Sequence, residues 1–231
     1  MNKIVVGNLK TLLDANDIVD YIKSMSKINC NNVIVCPTSL YIPYFLKRNF
    51  KVGLQDISSC DQGLVTGDIL ARQAASMGIR YTIVGHSERR NSETVDDINK
   101  KILSANKYGI TSILCVGEEK QSKKTKKIIK QYLKESLKNT LLSKVIVAYE
   151  PMWAIGTNEI PDNKYIEDMT LFIKETIKKE FDSDIKVLYG GSVNKENVNT
   201  IKLIDSIDGV LVGNASAIPS EFQEVISKYL R

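Results

Sequence analysis

The segment YTIVGH (residues 81–86) shows the pattern on which the fold of this chain depends. It is a short apolar and β-branched run without strict alternation of polar residues, and it ends at a glycine and a polar side chain. A run of this kind is typical of a strand whose two faces are both covered, as in a parallel sheet. We therefore interpret residues 81–86 as a parallel strand.

Seven further runs of the same kind recur along the chain. They are KIVVGN (3–8), NVIVCP (32–37), KVGLQ (51–55), TSILCVGE (111–118), KVIVAYE (144–150), IKVLYGG (185–191) and DGVLVGN (208–214). Apolar residues at helical spacing fill the intervals 14–28, 96–108 and 163–181, and no linker interrupts the alternation. Eight strand–helix units predict one α/β domain, a single (β/α)8 barrel over residues 1–231. A doubly wound open sheet is the alternative, since periodicity does not separate the two folds.

The composition is that of an ordinary globular protein. Hydrophobic residues make up 43% and charged residues 26% of the 231 residues, which suffices for a sizeable core. The N-terminal apolar stretch covers only residues 4–7, too short for a signal peptide or a membrane span, so we expect a cytoplasmic protein with no membrane partner. A net charge of +5 suits an anionic small molecule without requiring nucleic acid.

Neither the cysteines nor the lysine-rich segment indicates a separate function. The four cysteines form no CxxC pair, so we expect reduced thiols rather than a zinc site or a disulfide framework. Residues 118–138 are interpreted as a helix with a solvated lysine face. Nucleic-acid binding is the alternative for this segment, but no aromatic residue lies among its lysines before Tyr132.

Polar side chains and glycines stand where the predicted strands end, and in a closed barrel these ends meet at one mouth. His86, the only histidine, follows the fourth strand and precedes a helical turn that we predict to start at Ser87. Most isolated histidines are structural, but this position favours a catalytic role. Glu150 follows the sixth strand, and the first, seventh and eighth strands are followed by Asn8, Lys10, Gly190, Gly191, Ser192, Gly213 and Asn214.

Five motifs resemble the triosephosphate isomerase family, in that family's order along the chain. They are GNLK (7–10), VGHSERR (84–90), AYEPMWAIGT (148–157), YGGSV (189–193) and VGNAS (212–216). The resemblance implies a TIM barrel that interconverts dihydroxyacetone phosphate and D-glyceraldehyde 3-phosphate through an enediolate, in glycolysis and gluconeogenesis. It also implies a homodimer, and it implies no metal and no cofactor.

The resemblance implies a role for each residue of the site. Glu150 is the base, and His86 is a proton donor kept neutral by the positive end of the turn at Ser87; this pairing is the established case for the family. Lys10 supplies positive charge for the oxyanion, Asn8 donates a hydrogen bond, and Glu88 holds Lys10. The phosphate is bound by the backbone N–H groups of Gly156, Ser192, Gly213 and Asn214.

Two loops complete the implied site. A lid that excludes water from the base consists of Pro151, Met152, Trp153, Ala154, Ile155, Gly156 and Thr157, in which we expect Trp153 to be exposed. A dimer loop lies within residues 55–68, where Thr66 reaches towards the site of the partner subunit and Asp68 pairs with Arg89. Its contact residues are Gln55, Thr66, Gly67 and Asp68.

The chain departs from the family pattern at four positions. Leu9 stands where most members have tryptophan, Asn158 and Asn214 replace glycines, and Asp68 replaces a glutamate. Asparagine tolerates a left-handed backbone better than most residues, so we still expect the N–H of Asn214 to face the phosphate. Asn158 changes the second hinge of the lid.

Other phosphate-sugar-binding barrels are the alternatives to an isomerase. A Schiff-base aldolase needs a lysine within a barrel strand, and no predicted strand offers one at its inner end. A non-catalytic sensor of phosphorylated sugars would keep the glycine turns but would not need Glu150 and His86 together. The sequence therefore favours the isomerase.

Overall fold

The computed structural model describes residues 3–26, 28, 31–48, 50–155 and 161–231. Eight strands form a closed parallel barrel in chain order, and β8 pairs with β1 to close it. The strands are β1 Ile4–Asn8, β2 Val33–Cys36, β3 Lys51–Leu54, β4 Tyr81–Val84, β5 Thr111–Val116, β6 Val145–Tyr149, β7 Lys186–Tyr189 and β8 Gly209–Val212. The predicted (β/α)8 barrel is confirmed, and the open sheet is excluded.

Helices follow the strands around the outside of the barrel. They are α1 Ala15–Met25, α2 Ile42–Leu46, α3 Ala71–Ser76, α4 Val95–Lys107, α5 Thr125–Ser136, α6 Asn163–Phe181, α7 Val198–Ile201 and α8 Pro219–Leu230. Short 3-10 turns cover Ser39–Tyr41, Ser87–Ser92, Leu142–Lys144, Met152–Ala154 and Asn214–Ala217. The bounds of α6 are those predicted, because Asp162 caps its first turn by accepting from the Tyr165 N–H.

Two apolar layers explain why the strands lack polar alternation. The inner layer fills the barrel and consists of Val6, Ile34, Cys36, Ile83, Ile113, Cys115, Ile146, Ala148, Leu188 and Leu211. The outer layer joins the other strand face to the helices, for example β7 to the buried face of α6. Both faces of each strand are therefore excluded from solvent, as the uninterrupted apolar runs predict.

Several further predictions concern the surface and the thiols. The lysine-rich segment contains α5, whose lysines lie mostly on its exposed side. Cys36, Cys60 and Cys115 are free, while Cys30 lies outside the described residues.

Within the described ranges, no helix combines the length and the apolar character needed to cross a membrane.

Candidate active site

A cavity of about 870 Å³ opens at the carboxyl ends of the strands. Loops after β1, β4, β6, β7 and β8 all contribute to its wall. The lining includes the candidate residues Asn8, Lys10, His86, Glu88, Glu150, Ser192, Gly213 and Asn214. Barrel closure thus brings together residues as far apart in the chain as Asn8 and Asn214.

His86 caps the 3-10 turn Ser87–Ser92 and faces the carboxylate of Glu150. Its Nδ1 accepts a hydrogen bond from the Glu88 N–H at 3.3 Å, so the proton of a neutral imidazole lies on Nε2. That Nε2 is 3.5 Å from Oε1 of Glu150. The local backbone therefore selects the tautomer that points its N–H into the cavity.

Glu150 is a buried carboxylate at the end of β6. Its side chain is 2% exposed, and its Oε2 has no hydrogen-bond partner among the described residues. Gly190 makes room for it, since a Cβ at residue 190 would lie 2.8 Å from the Glu150 Cγ. The Glu150 N–H donates to the Val116 carbonyl at 2.7 Å, which fixes the backbone of this residue to β5. A rigid scaffold thus presents a carboxylate oxygen that is free to take a proton.

Lys10 has a left-handed backbone, with φ of 49°, which is rare for a residue other than glycine. Three contacts hold it there: its N–H donates to Asn8 Oδ1 at 3.1 Å, Gln55 Nε2 donates to its carbonyl at 2.7 Å, and its Nζ donates to Glu88 Oε1 at 2.6 Å. Strained backbone of this kind persists where the surroundings enforce it. Here it directs the ammonium group into the cavity.

The charges of the site affect one another. Partial burial disfavours ionisation of Glu88, but the Lys10 ammonium outweighs burial and lowers the pKa of that carboxyl. Cys115 lies behind the base, and burial followed by the charge of Glu150 raises the pKa of its thiol well above the ordinary value. Cys115 is therefore an uncharged packing residue beside the base.

The loops after β7 and β8, the phosphate side of the cavity, carry the groups predicted to bind phosphate. Ser192, Gly213 and Asn214 line the cavity, whereas Gly156 lies outside the described residues. Asn214 starts the 3-10 turn Asn214–Ala217 and does not adopt the left-handed conformation that its replacement of glycine led us to consider. A right-handed turn needs no glycine, so asparagine fits there without strain.

The segment predicted as a lid is described for Pro151–Ile155, while Thr157 and Asn158 lie outside the described residues with Gly156. The expectation of an exposed Trp153 is wrong. Its indole is half-buried and its Nε1 donates to Glu118 Oε1 at 2.8 Å, because the buried Glu118 carboxylate needs donors. Ser192 Oγ donates to the Ala154 carbonyl at 3.0 Å, which joins this segment to the phosphate side.

The predicted dimer loop has one end in the site and one at the surface. Gln55 supports Lys10, whereas Thr66, Gly67 and Asp68 are exposed. Asp68 accepts a hydrogen bond from Ser58 at 2.5 Å rather than pairing with Arg89. Within the chain, the guanidinium of Arg89 instead contacts the carboxylates Asp56 and Glu93.

Two residues that support the site were not predicted as such from the sequence. Glu118 stands at the end of the fifth apolar run, just as Glu150 stands at the end of the sixth. The same position in the pattern could therefore have identified Glu118 as a candidate site residue. Gln55 was assigned to a dimer contact alone, although it holds the backbone of Lys10.

As for metals, no cluster of three or more histidine, cysteine or carboxylate side chains suited to an ion occurs in the described part of the chain.

Comparison with known proteins agrees with this geometry. The family model described as triosephosphate isomerase matches residues 3–229. The chain is 33% identical to the triosephosphate isomerase of Francisella philomiragia, over an alignment of 246 positions that covers 99% of this chain and 97% of that protein. It is 34% identical to the triosephosphate isomerase of Mesomycoplasma hyopneumoniae, with 98% of this chain and 99% of that protein covered. The chain is therefore an isomerase that belongs to the triosephosphate isomerase family.

Proposed function

We propose that the chain interconverts dihydroxyacetone phosphate and D-glyceraldehyde 3-phosphate, with Glu150 and His86 as the catalytic residues. The observation that carries the proposal is the pair itself: His86 Nε2 lies 3.5 Å from Glu150 Oε1 inside the cavity that Lys10 also lines. A base and a neutral donor around one small ligand are what a proton transfer between neighbouring carbons requires.

In the forward reaction, Glu150 takes a proton from the carbon next to the substrate carbonyl. The C–H electron pair forms the carbon–carbon double bond of the enediolate, and the carbonyl oxygen gains the negative charge. The Nε2–H of His86 protonates the oxygen that gained the charge, and the resulting imidazolate then takes the proton of the neighbouring hydroxyl, so the negative charge moves to the second oxygen, which becomes the new carbonyl. The ammonium of Lys10 and the amide of Asn8 stabilise the charge on these oxygens. Glu150 then returns the proton to the neighbouring carbon, so one carboxylate serves both half-reactions.

The phosphate of the substrate is assigned to the part of the cavity wall formed by the loops after β7 and β8. Backbone N–H groups at Ser192, Gly213 and Asn214 are suited to a dianion, because backbone donors at glycine-containing turns can approach a phosphate closely. Gly156, which lies outside the described residues, is proposed as a further donor. Lys10 runs along Gly213, with its Cε 3.6 Å from where a Cβ of residue 213 would stand. The cation can therefore attract both the phosphate and the developing oxyanion.

The direct test is a coupled assay of the purified protein with D-glyceraldehyde 3-phosphate. We expect isomerase turnover without added metal or cofactor. If the protein binds a triose phosphate analogue in calorimetry but gives no dihydroxyacetone phosphate, the non-catalytic sensor is the correct function instead.

We also propose that the protein is a cytoplasmic homodimer that uses residues 55–68 at its interface. Leu64, near the tip of this loop, is fully exposed at 105% in the single chain. A fully exposed large apolar side chain within the loop that the family resemblance assigns to the dimer contact is suited to burial against a partner. Because Gln55 ties the same loop to Lys10, contact at the tip would stabilise the backbone of the site.

Replacing Leu64 with glutamate is expected to give soluble monomers with poor activity, because a carboxylate would be buried at the interface. The measurement is molar mass by light scattering, together with turnover at the same protein concentration. Leu203→Glu is the matched control, since Leu203 is 76% exposed and precedes β8 at the opposite end of the barrel. A Leu64→Glu protein that stays dimeric would place the interface elsewhere.

A further inference from the structure

A buried carboxylate next to the site binds three aromatic donors from three different elements. Glu118, 4% exposed, accepts from the Tyr149 hydroxyl at 3.0 Å, the Trp153 Nε1 at 2.8 Å and the Tyr165 hydroxyl at 2.8 Å. Within the described residues it makes no ion pair with lysine or arginine. Its charge is therefore compensated by neutral donors, each of which it orients.

Two of these donors flank the base. Tyr149 immediately precedes Glu150, and Trp153 follows it by three residues. The backbone of the intervening segment is fixed to the same residue, because the Met152 N–H donates to the Glu118 carbonyl at 2.9 Å. Glu118 therefore holds the chain on both sides of the catalytic carboxylate.

Tyr165 reaches this arrangement from the first turn of α6. Its hydroxyl contacts the Glu118 oxygen that also accepts from Trp153, and its ring stands edge-on to the indole, with centroids 5.9 Å apart and planes at 69°. Tyr165 is thus in contact both with the indole and with the acceptor that holds the indole. Burial and the hydrogen bond to Glu118 raise the pKa of this phenol to about 12, so it remains a donor at neutral pH.

We propose that Tyr165 is a positioning residue for the proposed isomerase reaction: its hydroxyl holds the Glu118 carboxylate, and through it Trp153 and the segment Pro151–Ile155, in the arrangement that places Glu150. The role rests on the proposed function of Glu150 as the base. Tyr165 does not line the cavity, and it reaches the site through its contacts with Glu118 and Trp153.

The test replaces Tyr165 with phenylalanine, which keeps the ring and removes the hydroxyl. We expect kcat to fall about 3- to 10-fold with KM within about twofold, since one hydrogen bond to a carboxylate is lost. Trp153 is the only tryptophan, so its fluorescence reports the arrangement directly, and we expect a red shift as the indole becomes wetter. Unchanged kcat with unchanged emission would overturn the proposal.

Tyr229→Phe is the matched control, because the Tyr229 hydroxyl is buried in α8 and has no hydrogen-bond partner among the described residues. It should alter neither kcat nor emission. If both variants lose activity equally and melt at the same lowered temperature, general destabilisation is the cause and the positioning role is rejected.

A double-mutant cycle with Trp153→Phe asks whether Tyr165 acts through the indole. In the Trp153→Phe background, Tyr165→Phe should lower kcat by less than about half of its effect in the parent, because the shared arrangement is already lost. An equal fold-change in both backgrounds would show that Tyr165 acts independently, against the proposal. Because the fluorescence measurement does not depend on turnover, it reports the effect of Tyr165→Phe on Trp153 even if the parent protein is inactive. An inactive parent would reject the proposed isomerase function but would leave this fluorescence result available.

Discussion

Replacing Glu150 with glutamine is expected to lower kcat by about 10⁴-fold, the upper range for removing a general base. Glutamine has the same shape, so the contact with Gly190 and the approach to His86 are kept while the proton acceptor is lost. The measurement is the coupled assay, with Glu224→Gln as control because Glu224 lies half-exposed on α8 and outside the cavity. Activity of Glu150→Gln within tenfold of the parent would assign the base to another residue.

Glu150→Asp refines the same prediction. The carboxylate is retained but withdraws by one methylene, and a misplacement of about 1 Å costs on the order of 100-fold. The aspartate variant should therefore lie between the parent and Glu150→Gln. If the aspartate and glutamine variants are equally inactive, the position of the carboxylate matters as much for turnover as its presence.

Glu150→Gln should also be more stable than the parent. The Glu150 Oε2 is buried and has no hydrogen-bond partner among the described residues, and an unpaired buried charge costs at least about 1 kcal/mol more than a neutral group. For a chain of this length that difference raises Tm by about 2–4 °C. Scanning calorimetry of the two proteins checks this, and a lower Tm would mean that the charge stabilises the fold.

Replacing His86 with glutamine is expected to lower kcat on the order of 100-fold, equivalent to about 2.7 kcal/mol, with little change in binding of a phosphate analogue. Glutamine offers an N–H but cannot give up a proton and take it back, as the enediolate oxygens require. Turnover within twofold of the parent would remove His86 from the mechanism.

His86→Asn separates the proton transfer from the structural role of the same residue. Asparagine is a good cap and can accept from the Glu88 N–H, so it should preserve the turn Ser87–Ser92. It is too short to reach the position of Nε2 beside Glu150. We expect it to fold normally and to be as inactive as His86→Gln; recovery of activity in His86→Asn would mean that His86 only caps the turn.

The amino-acid sequence by itself determined the eight strand–helix units and the residues that stand at the strand ends, while closure of the sheet into a barrel is seen in the pairing of β8 with β1. Strands covered on both faces read as short β-branched runs, and α6 is delimited by its apolar spacing and its Asp162 cap, all of which are local properties. The candidate residues stand directly after the strands. Because parallel strands end at one rim, their place in the chain predicts that they share one cavity.

Contacts between residues distant in the chain could not be predicted in this way. Trp153 is half-buried because a carboxylate 35 positions earlier accepts its N–H, and Tyr165 meets the same carboxylate across 47 positions. The left-handed backbone of Lys10 is held by Gln55, 45 positions away, and Arg89 has partners other than the one that family resemblance implied. Local residue types and spacing specify which elements form and where they end. Which side chain compensates a buried charge or holds a strained residue depends on the register of the closed barrel, since only closure sets the distances between side chains from different strands.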